Sequence, residues 1–237
     1  PDVLVVHGST IATNAFLERQ GARVVLLTTA GFTDALEIGR QTRTHIYARR
    51  AERPTPLVPA ERRLGVRERL DFEGAVLEAL APEEVARVSA ECAALRPEAV
   101  AVCLLHAYAN GEHERALGAA LLGACPFTYL SSVVDPGYRE YERMSTTVLH
   151  AYVAPRVAAY VGRLRERLAG QLRLMASHGG RQTAAELARP ANMILSGPAG
   201  GVIGAAALAR AAGEQQIITF DMGGTSTDVA LVRGAPT

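Results

Sequence analysis

The stretch Asp221-Met222-Gly223-Gly224-Thr225-Ser226-Thr227-Asp228 constrains this chain more than any other. It lies between two apolar runs, Ile217-Ile218-Thr219-Phe220 and Val229-Ala230-Leu231-Val232. Both runs are rich in strand formers, and Arg233-Gly234 closes the second, so the pattern predicts a β-hairpin. The turn between them carries two carboxylates, two glycines and three hydroxyls. With no Cβ in the way, glycine lets the backbone reverse and bring bare N–H groups against an anion. A carboxylate at such a strand end can hold hydrated Mg²⁺, a hard cation that takes oxygen ligands. Asp221 is therefore the candidate metal ligand, and Asp221 and Asp228 are the candidate catalytic carboxylates. Gly223, Gly224, Thr225 and Ser226 are the candidate contacts to a nucleotide phosphate chain. An ordinary hairpin turn also satisfies Asp-x-Gly-Gly, but packing a turn does not require so many oxygen atoms.

The residues beyond the turn separate this pattern from a Walker A loop, in which the chain enters a helix and a lysine reaches the terminal phosphates. Here the chain enters a strand, and the sequence contains no lysine. That also excludes Schiff-base chemistry within these residues. A second signal lies upstream, where Ser196-Gly197-Pro198-Ala199-Gly200-Gly201 opens the alanine-rich run Val202 to Ala212 and Gly213 closes it as a helix stop. A glycine-rich helix start capped by Ser196 would aim N–H groups and a partial positive charge at an anion, with Ser196, Gly197, Gly200 and Gly201 as contacts. Close helix-to-strand packing calls for the same small residues, so both readings stand on this segment alone.

Five segments together resemble the hydantoinase A / 5-oxoprolinase family, in order and over essentially the whole chain. They are His7 to Ala15 (HGSTIATNA), Gly31-Phe32-Thr33-Asp34 with Gly39-Arg40-Gln41, Tyr138 to Arg143 (YREYER), Ser196 to Gly201, and Asp221 to Asp228. The resemblance implies an α/β fold of the actin-like (ribonuclease H-like) ATPase type. It further implies that ATP and Mg²⁺ open a cyclic amide such as a hydantoin or 5-oxoproline by phosphorylating its carbonyl. A related branch supplies the ATP-using subunit of acetone carboxylases, and a nucleotide-binding switch without catalysis is a third reading. The family pattern also implies a hydantoinase B-like partner subunit and an oligomer. His7, Thr10, Arg40 and Arg139 become candidate substrate contacts. The pattern normally opens with an earlier Asp-x-Gly-Gly-Thr loop and continues into a downstream lobe. Neither is contained in these 237 residues, so the expectation is a piece of a longer protein that does not turn over ATP alone. The expected organisation is residues 1–60 in a first lobe and 61–136 as an inserted α/β subdomain. Residues 137–170 would be connecting helices, and 171–237 the start of a second lobe.

Other features narrow the surroundings. A formal net charge of +1 with scattered arginines gives no footprint for nucleic acid. No apolar run approaches the roughly 20 residues that span a bilayer. Cys92, Cys103 and Cys125 form no Cys-x-x-Cys pair, which fits buried thiols in a reducing cytoplasm. Alternating strands and helices predict a mostly parallel sheet: strands near 3–6, 23–28, 99–105 and 127–130, with helices near 10–20, 82–95 and 112–122. A hairpin is expected about Asp71-Phe72-Glu73-Gly74, with Arg63 to Leu70 as its first arm. A long helix from Tyr138 to Leu168 is expected to carry an apolar stripe that includes Val148, Tyr152, Val157, Tyr160 and Val161. Arg139, Glu140, Glu142 and Arg143 at its start read either as a solvated first turn or as substrate-facing. The six histidines show no metal-ligand spacing. Of these, His7 and His178 stand at strand ends before glycine, where an α/β cleft opens.

Overall fold

The computed structural model of the chain describes residues 4–42, 45–47, 49, 54–168, 171–183, 189–223 and 227–234. In chain order the elements begin with β1 (Leu4–His7), α1 (Ile11–Leu17), β2 (Val24–Thr29) and α2 (Ala35–Ile38). Next come β3 (Arg63–Val66), β4 (Arg69–Leu70), β5 (Val76–Glu78), α3 (Pro82–Ala94), β6 (Ala99–Cys103), α4 (Glu112–Leu121), β7 (Thr128–Leu130) and α5 (Ser131–Val134). The long α6 (Glu140–Arg167) leads to β8 (Gln171–Met175), β9 (Arg181–Thr183), α7 (Ser196–Ala211), β10 (Gln216–Met222) and β11 (Thr227–Arg233). The chain divides into two compact units, residues 19–155 and residues 1–18 with 156–237. Among the described residues no helix is long and apolar enough to cross a membrane.

The unit of residues 19–155 is built on a parallel sheet in the order β3-β2-β6-β7. Its central strands, VVLLTT and AVAVC, are buried at every position, as parallel strands covered on both faces require. Val88 and Cys92 of α3 and Leu117 and Leu121 of α4 close one core against Val25, Leu27, Val100 and Val102. Cys92, Cys103 and Cys125 are all buried free thiols. Burial pushes Cys92 and Cys103 each up to about 11, so both act as small hydrophobes rather than nucleophiles.

The expected arm from Arg63 to Leu70 divides in two. Its first half, β3, joins the parallel sheet beside β2, and only Arg69–Leu70 pairs with β5 around the Asp71 turn. The split follows from inward-facing charges. Arg63 is buried, donating to the Val58 and Thr33 carbonyls and pairing with Glu37 at 3.2 Å. Glu68 turns in to accept from Thr29 and to meet His113 Nδ1 at 2.7 Å.

Two further buried charges hold the end of β6. Glu114 accepts the Leu104 N–H at 2.9 Å, the Ser131 hydroxyl at 2.6 Å and the Ser132 N–H at 2.8 Å, and burial pushes its carboxyl upward. Arg143 donates to the Leu104 carbonyl at 2.7 Å and to the Gly137 carbonyl at 3.0 Å. Arg143 is 1% exposed, so the substrate-facing reading of this arginine gives way to a structural one. The sequence could not separate it from Arg139 four residues earlier, because only burial distinguishes them.

The unit of residues 1–18 and 156–237 holds a three-stranded sheet, β1-β8-β9, with β1 parallel to β8 and β9 antiparallel to it. The predicted hairpin forms beside α7 as β10 and β11. One face, with Ile217, Thr219 and Val232, is largely covered. The other leaves Ile218, Phe220, Met222, Val229 and Leu231 exposed. The long helix is continuous through Pro155, and the boundary between the units falls just after that residue.

Two predictions follow from the packing of residues 19–155. Glu84, in the first turn of α3, accepts from the Arg67 N–H and guanidinium and from Arg87. The Arg87 hydrogen bond, helped by Arg67, holds its carboxyl at about 2, against an ordinary 4.5. A depressed folded-state value stabilises the fold above pH 4.5, and that contribution fades as pH falls toward 2. Glu84→Gln should cost about 1–3 kcal/mol at pH 7 and flatten the acid-side loss over that window. Urea midpoints measured across pH check this, and parallel profiles for the two proteins would count against it. Gly21 has no room for a side chain, since a Cβ there would lie 2.2 Å from the Tyr152 ring. Gly21→Ala should therefore destabilise by about 1–3 kcal/mol in the same assay.

Candidate functional site

Segments nearly two hundred residues apart in sequence meet in the unit of residues 1–18 and 156–237. The Ser196 hydroxyl donates to the Ser9 carbonyl at 3.0 Å and accepts the Ser9 N–H at 3.4 Å. Thr13 Oγ1 accepts the Leu195 N–H at 2.8 Å. Leu195 adopts a left-handed φ of 59° as α7 begins, a conformation that costs a non-glycine residue on the order of 1 kcal/mol. The Thr13 bond helps to offset that cost.

Glycine is required where the two backbones touch. A Cβ on Gly8 would lie 3.3 Å from the Ser196 carbonyl oxygen and 3.4 Å from Gly197 Cα. The expected contacts His7 and Thr10 thus border the expected contacts Ser196 and Gly197, because Thr10 Cγ2 lies 3.4 Å from where a Gly197 Cβ would stand. Ser196 differs from its expected part. It sits inside the first turn of α7, fully buried, with its hydroxyl engaged by Ser9, and no side chain caps the helix. The helix itself starts at Ser196 rather than beyond the glycines, so Gly197, Gly200 and Gly201 all lie on it.

A cavity of about 600 Å³ opens between α7 and the hairpin. The α7 side is nearly bare, since Gly201, Ala205 and Ala209 recur at the spacing of one helix face. The hairpin side alternates Ile217, Thr219 and Asp221. Asp221 and Asp228 face each other in the β10–β11 register, and both line the cavity. Like charges directly opposite on neighbouring strands repel, so this end of the hairpin is suited to a cation. Gly223 ends the described part of β10's approach to the turn, while Gly224, Thr225 and Ser226 lie outside the described residues.

Tyr160 is the partner that sequence reasoning missed. Its hydroxyl lies 2.5 Å from His7 Nε2, and the two rings are tilted by 32° with centroids 5.8 Å apart. It reads in sequence as one more member of the apolar stripe of α6. The overlooked signal is that a tyrosine inside such a stripe must still satisfy its hydroxyl. His178 stays at the β8–β9 turn, exposed, where Nδ1 accepts the Gly180 N–H at 3.2 Å.

Arg40 and Arg139 belong to the unit of residues 19–155. Arg40 donates through Nε to Glu142 at 2.7 Å, which pulls the Glu142 carboxyl below the usual range. A Gly39 Cβ would meet the Tyr141 ring at 3.6 Å. The Gly39-Arg40 and Tyr138–Arg143 segments are therefore neighbours in space. Arg139 lies over the Tyr138 ring, 5.7 Å from its centroid.

Residues 3–124 match the hydantoinase/oxoprolinase N-terminal region, and residues 143–237 match hydantoinase/oxoprolinase. The chain is 34% identical to the caprolactamase alpha subunit of Pseudomonas jessenii, covering 99% of this chain and 35% of the relative. It is 33% identical to the acetophenone carboxylase gamma subunit of Aromatoleum aromaticum, covering 97% and 34%. The nucleotide-free structure of acetone carboxylase superposes with a TM-score of 0.85 at 29% identity, over 96% of this chain and 35% of that one. The ATP-dependent caprolactamase structure gives 0.80 at 32% identity, over 96% and 34%. The chain thus spans about a third of the length of these relatives. The fold is the α/β, actin-like ATPase type expected from the sequence. The chain belongs to the hydantoinase/oxoprolinase family.

Proposed function

We propose that this chain is part of an ATP-dependent cyclic amide hydrolase, which opens a hydantoin, 5-oxoproline or a related lactam after phosphorylating the ring carbonyl oxygen. The observation that carries the reading is the Asp221–Asp228 pair, opposed across the hairpin on the wall of a cavity. Two carboxylates are a fitting donor set for Mg²⁺, which is commonly held by one or two of them together with waters and phosphate oxygens. When bound, the metal supplies charge neutralisation to the phosphate chain. Asp221 holds it, and Asp228 supports it from the facing strand. Gly223, Gly224, Thr225 and Ser226 contact the phosphates from the turn, with Gly197, Gly200 and Gly201 contributing from the start of α7.

A lactam carbonyl is a poor electrophile, and ATP removes that difficulty. Its γ-phosphoryl passes to the carbonyl oxygen as ADP leaves. One water then adds to the activated carbon, the ring C–N bond breaks with a proton taken up by nitrogen, and a second water hydrolyses the acyl phosphate. The protein's part in phosphoryl transfer is positioning and electrostatics. His7 and Thr10 meet the substrate near the phosphate cradle. Arg40, which is 61% exposed and donates through Nε to Glu142, offers its guanidinium to a substrate carboxylate, together with Arg139 on the same unit. The lobe boundaries near residues 60, 136 and 170, a hydantoinase B-like partner subunit and an oligomeric assembly complete the proposal.

A second reading, the ATP-using subunit of a carboxylase complex, draws on the likeness to acetone carboxylase. A screen of the full-length protein for ATP hydrolysis stimulated by hydantoins, 5-oxoproline, caprolactam and small ketones separates the two by substrate. In that assay Asp221→Asn should lower the stimulated rate roughly 10²–10³-fold with an unchanged far-ultraviolet circular dichroism spectrum. A variant that keeps the full rate would remove Asp221 from the metal role.

A further inference from the structure

The shortest polar contact at the candidate site joins two residues of different elements. His7 ends β1, one residue before the Gly8 backbone that lies against Ser196 and Gly197. Tyr160 projects from α6 between Val157 and Val161, which are 1% and 2% exposed. Tyr160 lies in the sequence stripe of apolar residues on α6, and its hydroxyl lies 2.5 Å from His7 Nε2. Both residues are half-buried.

A neutral imidazole has one donor and one acceptor nitrogen, and the partner of one nitrogen fixes the role of the other. Hydroxyl hydrogens can point either way, so the hydroxyl can in principle give or take the proton here. At a site built to receive phosphate oxygens, a histidine is useful as a donor. We propose that Tyr160 is a positioning residue: its hydroxyl donates to His7 Nε2, which fixes the tautomer with Nδ1 protonated and sets Nδ1–H to donate to a phosphoryl oxygen at the start of α7. This rests on the assignment of a nucleotide to the hairpin and α7. It goes beyond that assignment by giving His7 a single donor nitrogen and by adding α6 to the machinery.

Tyr160→Phe removes one oxygen atom and keeps the ring in its stripe. In the full-length protein, kcat for substrate-stimulated ATP hydrolysis should fall roughly 10- to 100-fold, the scale of loss for a mispositioned group. KM for ATP should stay within about twofold, because the lost contact acts during transfer. Tyr160→Phe combined with His7→Gln should be no slower than His7→Gln alone, since the tyrosine acts through the histidine. A purely packing role for Tyr160 would instead make the two losses multiply and would lower thermal stability without the split between kcat and KM. Reactivity of His7 toward diethyl pyrocarbonate, followed by peptide mass spectrometry, gives a readout independent of turnover. Tyr160→Phe should raise His7 labelling several-fold, and a non-hydrolysable ATP analogue with Mg²⁺ should protect the wild-type residue. Wild-type kcat in Tyr160→Phe beside an inactive Asp221→Asn overturns the role of Tyr160 alone. An Asp221→Asn protein at full rate, with no protection of His7 by the analogue, overturns the nucleotide assignment and this inference with it.

Discussion

The candidate site depends on the docking of the β1 end onto the start of α7. Three hydrogen bonds between Ser9, Thr13, Leu195 and Ser196 fasten segments nearly two hundred residues apart in sequence. Gly8 lets the backbones approach to contact distance. Without that contact His7 would have no reason to sit beside the glycine-rich turn of α7. The Leu195 left-handed conformation shows the same constraint from the other side. A leucine accepts unfavourable backbone geometry there because its N–H is taken by Thr13, and the glycines that follow can then enter the helix at once.

Electrostatics then separates charges that hold the fold from charges available for chemistry. Glu84, Glu114, Arg63 and Arg143 are buried and answered by several donors or acceptors each. Such groups are expensive to strand, and each is answered by hydrogen bonds within the fold, while Arg143 Nε has no partner among the described residues. Asp221 and Asp228 are different. They oppose one another at the open end of a hairpin, beside a cavity whose α7 wall is mostly glycine and alanine. It is at this pair that the proposed function places a cation and its phosphate ligands.

Much of this was legible from residue patterns. The hairpin follows from two β-rich runs around paired glycines, and the parallel sheet follows from apolar runs such as Ala99–Cys103 that alternate with amphipathic helices. Local rules decide these features, so the sequence carries them. Arg143 was ambiguous because an arginine in a helix's first turn looks the same whether it faces solvent or core. Tyr160 was hidden inside a hydrophobic stripe, and the division of Arg63–Leu70 between two sheets turned on the inward-facing Arg63 and Glu68.

By itself, the sequence determined the glycine-rich acidic hairpin without lysine, the feature on which the proposed phosphate and metal roles rest. The tertiary structure alone decided which of these residues come together. Hydrogen bonds between Ser9 and Ser196, the His7–Tyr160 contact and the facing of Asp221 on Asp228 depend on distances across the fold. Spacing along a chain encodes the period of a helix or strand. It does not encode which strand end meets which helix start, because that choice is made by the burial and packing of the rest of the chain.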